Sequence, residues 1–304
     1  MYDMIIIGAG PAGMAAAIYA KRAELKVVLL ERSTAGGQII NTYEVDNYPG
    51  IPGIDGYSLA DKFSEHCDKL EVERKDAEVV KVEDEGAVKR ITLDNGEVLE
   101  TKTIVIAAGA QNKMLGVPGE GEYRGLGVSY CATCDGAFFR NKVAAVVGGG
   151  DVAVEDAVFL ARLCKKVYII HRRDEFRAAK SLVTALKACE NVEFLMDTTV
   201  SKINGDKTVN SLTIKNKNTG EERELEVNGV FIAVGIEPNS AIFEGVVEME
   251  NGWIKAGETC ETSAPGIYAV GDVRTKQLRQ VITAAADGAN AVTSAERYLI
   301  EHRG

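Results

Sequence analysis

The chain has 304 residues, 46% of them hydrophobic and 26% charged, which suits buried cores under a solvated surface and suggests about two domains. That balance excludes disorder, collagen and coiled coil. With 35 basic against 45 acidic residues the net charge is -10, which favours solubility and disfavours nucleic acid or anionic membrane as partners, because such a surface gains neither counterion release nor headgroup attraction.

Residues 4–20 carry no charge, yet Gly8, Gly10, Pro11 and Gly13 interrupt the run and the only charge before it is Asp3, so neither a signal peptide nor a membrane span is expected. Residues 4–7 instead read as a strand ending in Gly8-Ala9-Gly10-Pro11-Ala12-Gly13, followed by a helix over 14–20 and a strand over 26–30. This is a βαβ unit with GxGxxG at its first turn. Residues 88–100, around Asp94-Asn95-Gly96, predict a hairpin, and Ile106-Ala107-Ala108-Gly109 closes a β-like run. The pattern then recurs. Residues 143–147 lead into Gly148-Gly149-Gly150-Asp151-Val152-Ala153, a helix through Leu163 and a strand over 166–170. Gly8 to Glu31 and Gly148 to His171 are both 23 positions, so the copies are in register. A second hairpin over 213–226 and the glycine turn Ile232-Ala233-Val234-Gly235 repeat the later elements, with boundaries expected near Gly116-Val117-Pro118-Gly119 and Pro238-Asn239. The expected fold class is α/β, with two Rossmann-like, three-layer ββα nucleotide-binding domains.

In such a turn the first glycine permits the bend, the second lets backbone approach a pyrophosphate and the third lets the helix pack closely, while amides at the helix start hold the phosphates. The residue ending the second strand selects the ligand. Glu31 accepts hydrogen bonds from ribose hydroxyls and repels a phosphate, so the first site prefers an unphosphorylated adenosine. His171 is followed by Arg172 and Arg173, with Arg177 beyond, and three guanidiniums suit a 2'-phosphate, so the second site prefers NADP. A solvated helix start is the plainer reading of the same arginines.

Six cysteines are too sparse for a disulfide framework, and a reducing cytoplasm is expected. Only Cys131-Ala132-Thr133-Cys134-Asp135 brings two close. Two intervening residues allow a disulfide, and the acidic neighbour can exchange protons with a thiolate as it opens. The alternative is half of a zinc site, which needs two more ligands, whereas Cys67, Cys164, Cys189, Cys260 and the histidines are scattered singly. Those four cysteines are expected to be small buried hydrophobes.

Along nearly its whole length the chain resembles the low-molecular-weight, bacterial-type thioredoxin reductases, a class of pyridine nucleotide-disulfide oxidoreductases. The resemblance is carried by the first glycine turn, Gly36-Gly37-Gln38-Ile39, Glu44-Val45-Asp46-Asn47-Tyr48-Pro49-Gly50, Cys131 to Gly136, His171-Arg172-Arg173-Asp174-Glu175-Phe176-Arg177-Ala178, Ala269-Val270-Gly271-Asp272-Val273 and Arg279-Gln280-Val281. It implies FAD at the first site, contacted by Gly8, Gly10, Pro11, Ala12, Gly13, Glu31, Arg32, Gly37, Gln38, Asn47, Ala108, Gly109, Gly271, Asp272, Arg279, Gln280 and Val281. It implies NADPH at the second, contacted by Gly148, Gly150, Asp151, Ala153, His171, Arg172, Arg173, Arg177 and Gly235. Asp151-Val152 stands where relatives often carry Asn or Asp followed by a small residue. The resemblance also implies an FAD domain of residues 1–112 and 242–304, interrupted by an NADPH domain of residues 113–241 that carries the cysteine pair.

By the same resemblance Cys134 faces the flavin, Cys131 attacks the disulfide of thioredoxin and Asp135 handles the proton, in a cytoplasmic homodimer. A disulfide packed on flavin cannot also dock a protein, so the central module is expected to rotate on its two connections during turnover. Rival readings are a flavin dithiol oxidase, disfavoured by the arginines, and a ferredoxin or flavodoxin NADP reductase, disfavoured by the cysteine pair. A zinc-bearing nucleotide-responsive module is the non-enzymatic alternative.

Overall fold

The β-branched runs around the first glycine turn begin a parallel sheet in the computed structural model, which describes residues 1–42 and 45–302. Glu44 of the resemblance segment and the terminal pair 303–304 lie outside the described residues. Tyr2–Ile7 (β1) leads through the turn into helix Pro11–Arg22 (α1), where proline at the helix start loses no hydrogen bond. Val27–Glu31 (β2) pairs parallel with β1, Met4 opposite Val27 through Ile7 opposite Leu30. Helix Gly56–Lys69 (α2) is capped by Asp55, whose side chain accepts the Ser58 N–H at 2.8 Å, and Glu73–Asp76 (β3) then joins β2 in parallel.

Val79–Asp84 (β4), Lys89–Leu93 (β5) and Val98–Ile106 (β6) are antiparallel neighbours. The hairpin reading holds, but these strands do not make a separate sheet. The nine residues of β6 are long enough to serve both: the first half pairs antiparallel with β5, and the second half pairs parallel with β1.

The chain divides into two units, Met1–Gln111 with Glu237–Gly304 and Asn112–Ile236, so the second is inserted in the first. Ala110–Asn112 (β7) leads out of the first unit. The second unit contains Val128–Ser129 (β8), helix Ala132–Asp135 (α3), Val143–Gly148 (β9), helix Asp151–Ala161 (α4), Lys166–Ile170 (β10), helix Lys180–Lys187 (α5) and Val192–Leu195 (β11). Thr198–Gly205 (β12), Val209–Asn216 (β13), Glu222–Glu226 (β14) and Gly229–Ala233 (β15) complete it. A parallel sheet in the order β11-β10-β9-β15-β8 forms its middle layer. Val154, Ala157 and Leu160 of α4 and Leu186 of α5 cover one face, packed on Ala144, Val146, Val167 and Phe231. Ile203, Leu212, Ile214 and Leu225 of the antiparallel sheet β12-β13-β14 cover the other, packed on Ala145, Val147, Ile170 and Val230. Alternate residues of each parallel strand thus face opposite layers, as a strand period of two requires.

Ile236–Pro238 (β16) leads back and pairs with β7. The first unit resumes at Glu237 rather than at residue 242, because Asn239 is already tied to it: its N–H donates to the Gly109 carbonyl at 3.0 Å and its Nδ2 to the Ala108 carbonyl at 2.8 Å. Met249–Glu250 (β17) and Trp253–Ile254 (β18) form a short ribbon, Ile267–Ala269 (β19) adds in parallel to β6, and helix Val281–Glu301 (α6) closes the chain. Ala284, Ala291 and Ala295 of α6 share a core with Ala12, Ala16 and Ala17 of α1, small residues that let the two helices approach closely. Among the described residues no helix is long and apolar enough to cross a membrane.

Candidate active site

Gly8, Gly10, Pro11, Ala12 and Gly13 form the β1–α1 turn, with Gly10 at the N-cap of α1. Gly13 has no room for a side chain: a Cβ there would run into the Gly8 carbonyl. Glu31 ends β2 beside this turn. One carboxylate oxygen accepts the Ala9 N–H at 2.7 Å, and the other accepts the Ser33 N–H at 3.0 Å. Arg32 points elsewhere, to Glu78 at 3.3 Å on the surface.

Other expected first-site residues gather in the same unit. Gly10 and Gly37 approach backbone to backbone, so that a Cβ on Gly37 would lie 3.2 Å from the Gly10 Cα, and Gln38 Nε2 donates to the Ala110 carbonyl at 2.9 Å beside Ala108 and Gly109. Asn47 Nδ2 donates to Gln280 Oε1 at 2.8 Å, joining residues 233 positions apart at the start of α6, where Val281 is the first helical residue. Asp272 is half-buried, its Oδ1 shielded from solvent and unpartnered, and desolvation raises its carboxyl above the usual range. Arg279 lies over the Trp253 ring at 3.8 Å with Nε also buried and unpartnered, and burial lowers its guanidinium. An orphaned acceptor and an orphaned donor near a glycine turn fit a polar dinucleotide whose hydroxyls and phosphates complete them.

In the second unit Gly148 and Gly150 flank the β9–α4 turn, with Gly150 at the N-cap of α4. A Cβ on Gly149 would overlap the His171 ring, so the turn lies directly against the residue that follows β10. His171 Nε2 lies 3.1 Å from the Glu175 carbonyl and its ring stacks on Phe176 at 5.6 Å. Burial lowers its pKa, as do the charges of Arg173, Arg177 and Arg172. The Arg177 N–H donates to the Gly149 carbonyl at 2.8 Å and Asp151 Oδ1 accepts the Ala179 N–H at 2.8 Å, so the arginine segment is sewn to the glycine turn. Arg172, Arg173 and Arg177 are exposed and, among the described residues, have no carboxylate in ion-pair contact. Ala153 is buried under the turn, and Gly235 accepts the Lys113 N–H at 2.9 Å. Three exposed guanidiniums on one segment without ion-pair partners have the chemistry to receive an anion.

Cys131 and Cys134 are joined as a disulfide across the single turn of α3. The Cys134 N–H donates to Cys131 Sγ at 3.2 Å, and Thr133 Oγ1 lies 3.4 Å from the same sulfur. Asp135 follows with Oδ1 buried and unpartnered and Oδ2 accepting from Ser129 Oγ at 2.6 Å. Burial raises the Asp135 carboxyl, a shift that Ser129 opposes. Such a group holds or releases a proton closer to neutrality than an exposed aspartate does. Of the remaining cysteines Cys67, Cys164 and Cys260 are buried, while Cys189 is half-buried. Among the described residues no group of three or more His, Cys, Asp or Glu side chains is placed to hold a metal ion.

Sequence reasoning missed several polar residues around these sites. Glu120 is buried and accepts from the Leu115 and Gly116 N–H groups and from the Tyr130 hydroxyl at 2.8 Å, beside Cys131. Asp156 on α4 is pushed up to about 7 by burial and by Glu155. Asp287 lies inside α6 and binds Arg274, Lys276 and the Gly271 N–H. A lone acid within the otherwise uncharged stretch 281–295 was the available signal for Asp287.

The family model described as pyridine nucleotide-disulphide oxidoreductase matches residues 2–288. The thioredoxin reductase of Bacillus subtilis (strain 168) is 45% identical over 303 residues, covering 99% of this chain and 96% of the relative, and that of Peptoclostridium litorale is 44% identical over 309 residues, covering 99% and 98%. Among solved structures, thioredoxin reductase from Streptococcus pyogenes MGAS5005 superposes with a TM-score of 0.95 at 44% identity, covering 99% of both chains. Lactococcus lactis thioredoxin reductase in its FR conformation, also 44% identical, covers 99% of this chain and 100% of its own at a TM-score of 0.69. With the paired glycine turns, the disulfide and this full-length similarity together, the chain belongs to the pyridine nucleotide-disulphide oxidoreductases, within the thioredoxin reductase family.

Proposed function

We propose that this chain is an NADPH-dependent flavoprotein that reduces the disulfide of thioredoxin. The observation that carries the reading is the Cys131–Cys134 disulfide, with the half-buried Asp135 next to it, in the same unit as a glycine turn and three arginines without ion pairs. When bound, the nicotinamide supplies a hydride and the flavin passes its two electrons to a disulfide.

The residues divide the remaining work. The first glycine turn, Glu31 and the orphaned Asp272 and Arg279 hold FAD, with Gly37, Gln38, Asn47, Gln280 and Val281 lining its site. Gly148, Gly150 and the start of α4 take the NADPH pyrophosphate, and Arg172, Arg173 and Arg177 take its 2'-phosphate. Opening Cys131–Cys134 needs two electrons and two protons. Asp135 supplies or accepts a proton at the thiols, and its burial holds that proton to higher pH than an exposed aspartate would. The dithiol then exchanges with the thioredoxin disulfide, so Cys131–Cys134 re-forms as two thiols appear on the partner.

Because one disulfide must meet both a flavin and a protein, we include rotation of the Asn112–Ile236 unit on its two connections. Two relatives of equal identity, with TM-scores of 0.95 and 0.69, differ from each other in overall arrangement, which supports this. A cytoplasmic homodimer is the assembly that the family resemblance favours.

The test is NADPH oxidation by purified holoenzyme with oxidised thioredoxin under nitrogen. Thioredoxin-dependent oxidation is expected. Oxidation that needs oxygen and ignores thioredoxin would instead indicate a dithiol oxidase.

A further inference from the structure

Ser129 is the last residue of β8, fixed opposite Phe231 of β15 and buried with 5% of its surface exposed. Its hydroxyl links the Cys131 backbone to the acid. It accepts the Cys131 N–H at 3.1 Å, and it faces two acceptors, Asp135 Oδ2 at 2.6 Å and the Cys131 carbonyl at 3.3 Å. A hydroxyl carries one proton and serves only one of them at a time. When Asp135 is ionised, the shorter, charge-assisted bond to Oδ2 prevails. When Asp135 takes up a proton on Oδ1, Oδ2 goes on accepting from Ser129 as a neutral and weaker acceptor. Every polar group on this side is partnered in both states.

We propose that Ser129 is a positioning residue for proton transfer at the Cys131–Cys134 disulfide, donating to Asp135 Oδ2 in both protonation states and leaving Oδ1 as the exchanging oxygen. The inference rests on the reductase reading above. Oδ1 is the free atom because it is buried without a partner.

Few other charges bear on Asp135. The acidic residues of α4, which packs on α3, are Asp151, Glu155 and Asp156. Asp151 is engaged by the Ala179 N–H, and Asp156 is influenced by burial and Glu155. The segment Gly136–Phe139 and strand β8 contribute no titratable side chain. Burial and the Ser129 bond are the influences on the Asp135 carboxyl, and they oppose each other. Removing the hydroxyl leaves burial alone, so the proton is held to higher pH.

The test compares pH profiles of thioredoxin reduction for wild type, Ser129→Ala and Ser129→Thr, with Asp135→Asn identifying the limb that reports Asp135. Losing a hydrogen bond to a charged group should move that limb by about one pH unit or more towards alkaline in Ser129→Ala. Ser129→Thr, which keeps the hydroxyl, should hold it at the wild-type position. A rate lowered equally at every pH with the limb unmoved would show a merely structural serine and overturn the proposal, as would a displaced limb in Ser129→Thr. Infrared titration of the protonated Asp135 carbonyl band reads the same shift without thioredoxin, so it remains decisive if wild type fails to reduce thioredoxin and the reductase reading itself falls. Ser129→Gly serves in place of an alanine variant that does not fold.

Discussion

The Asp287 carboxylate accepts the Gly271 N–H at 2.9 Å, so helix α6 fixes the turn that presents Asp272. Arg274 forks onto the same carboxylate through Nε and Nη2 at 2.9 and 2.7 Å, and Lys276 joins at 2.8 Å. Burial alone would raise the Asp287 carboxyl, but the bonds from Arg274 and Lys276 outweigh it and hold the pKa below the usual range. Replacing one partner of a buried pair typically costs about 3–5 kcal/mol. Asp287→Ala should therefore lower the thermal midpoint sharply and release FAD on gel filtration. A variant that melts like wild type and stays yellow would contradict this role.

The same lowered pKa fixes a pH dependence. A carboxyl depressed in the folded state contributes stability above its unfolded pKa and loses it as pH falls through the folded value. Denaturant midpoints of wild type should fall below about pH 4, and that part of the fall should be absent in Asp287→Asn. Equal acid sensitivity in the two proteins would refute it.

How much of this was legible in the sequence depended on range. The two glycine turns, their selector residues and the cysteine pair are local patterns, and each folded where its spacing indicated, with β10 spanning Lys166–Ile170. The shared role of β6 was not legible, because a strand that changes partners halfway looks in sequence like any other. The return at Glu237 depends on Asn239 reaching Gly109, and the Asp287 cluster on Arg274 and Lys276 arriving from another loop. Ser129 had no signal beyond lying two residues before Cys131. Contacts set by tertiary closure leave little trace in periodicity.

Arg172 and Arg173 are exposed and form no ion pair among the described residues, which suits the proposed 2'-phosphate contact. Each hydrogen bond to a charged group is worth about 1.5–3 kcal/mol. In Arg172→Gln with Arg173→Gln, the ratio of kcat/KM for NADPH over NADH should fall on the order of tenfold or more. An unchanged ratio would defeat the 2'-phosphate assignment.

Neither sulfur of Cys131–Cys134 can be spared, since a disulfide relay needs both. Cys131→Ser and Cys134→Ser should each abolish thioredoxin reduction while NADPH still bleaches the flavin anaerobically. Retained thioredoxin reduction in either variant would sink the relay.

Rotation has its own mechanical test. A crosslink engineered between the two units should stop steady-state turnover and leave the enzyme able to complete at most one half-reaction. Turnover that continues with the units locked would remove the motion from the mechanism.

The central claim is that electrons from NADPH reach the Cys131–Cys134 pair through a flavin bound at the first glycine turn. Anaerobic titration of the purified protein with NADPH, reading flavin absorbance and free thiols together, tests it most directly. The account predicts that the yellow colour bleaches and that two new thiols appear per chain, both lost in the cysteine variants. Bleaching without new thiols, or no bleaching of bound flavin, would contradict it.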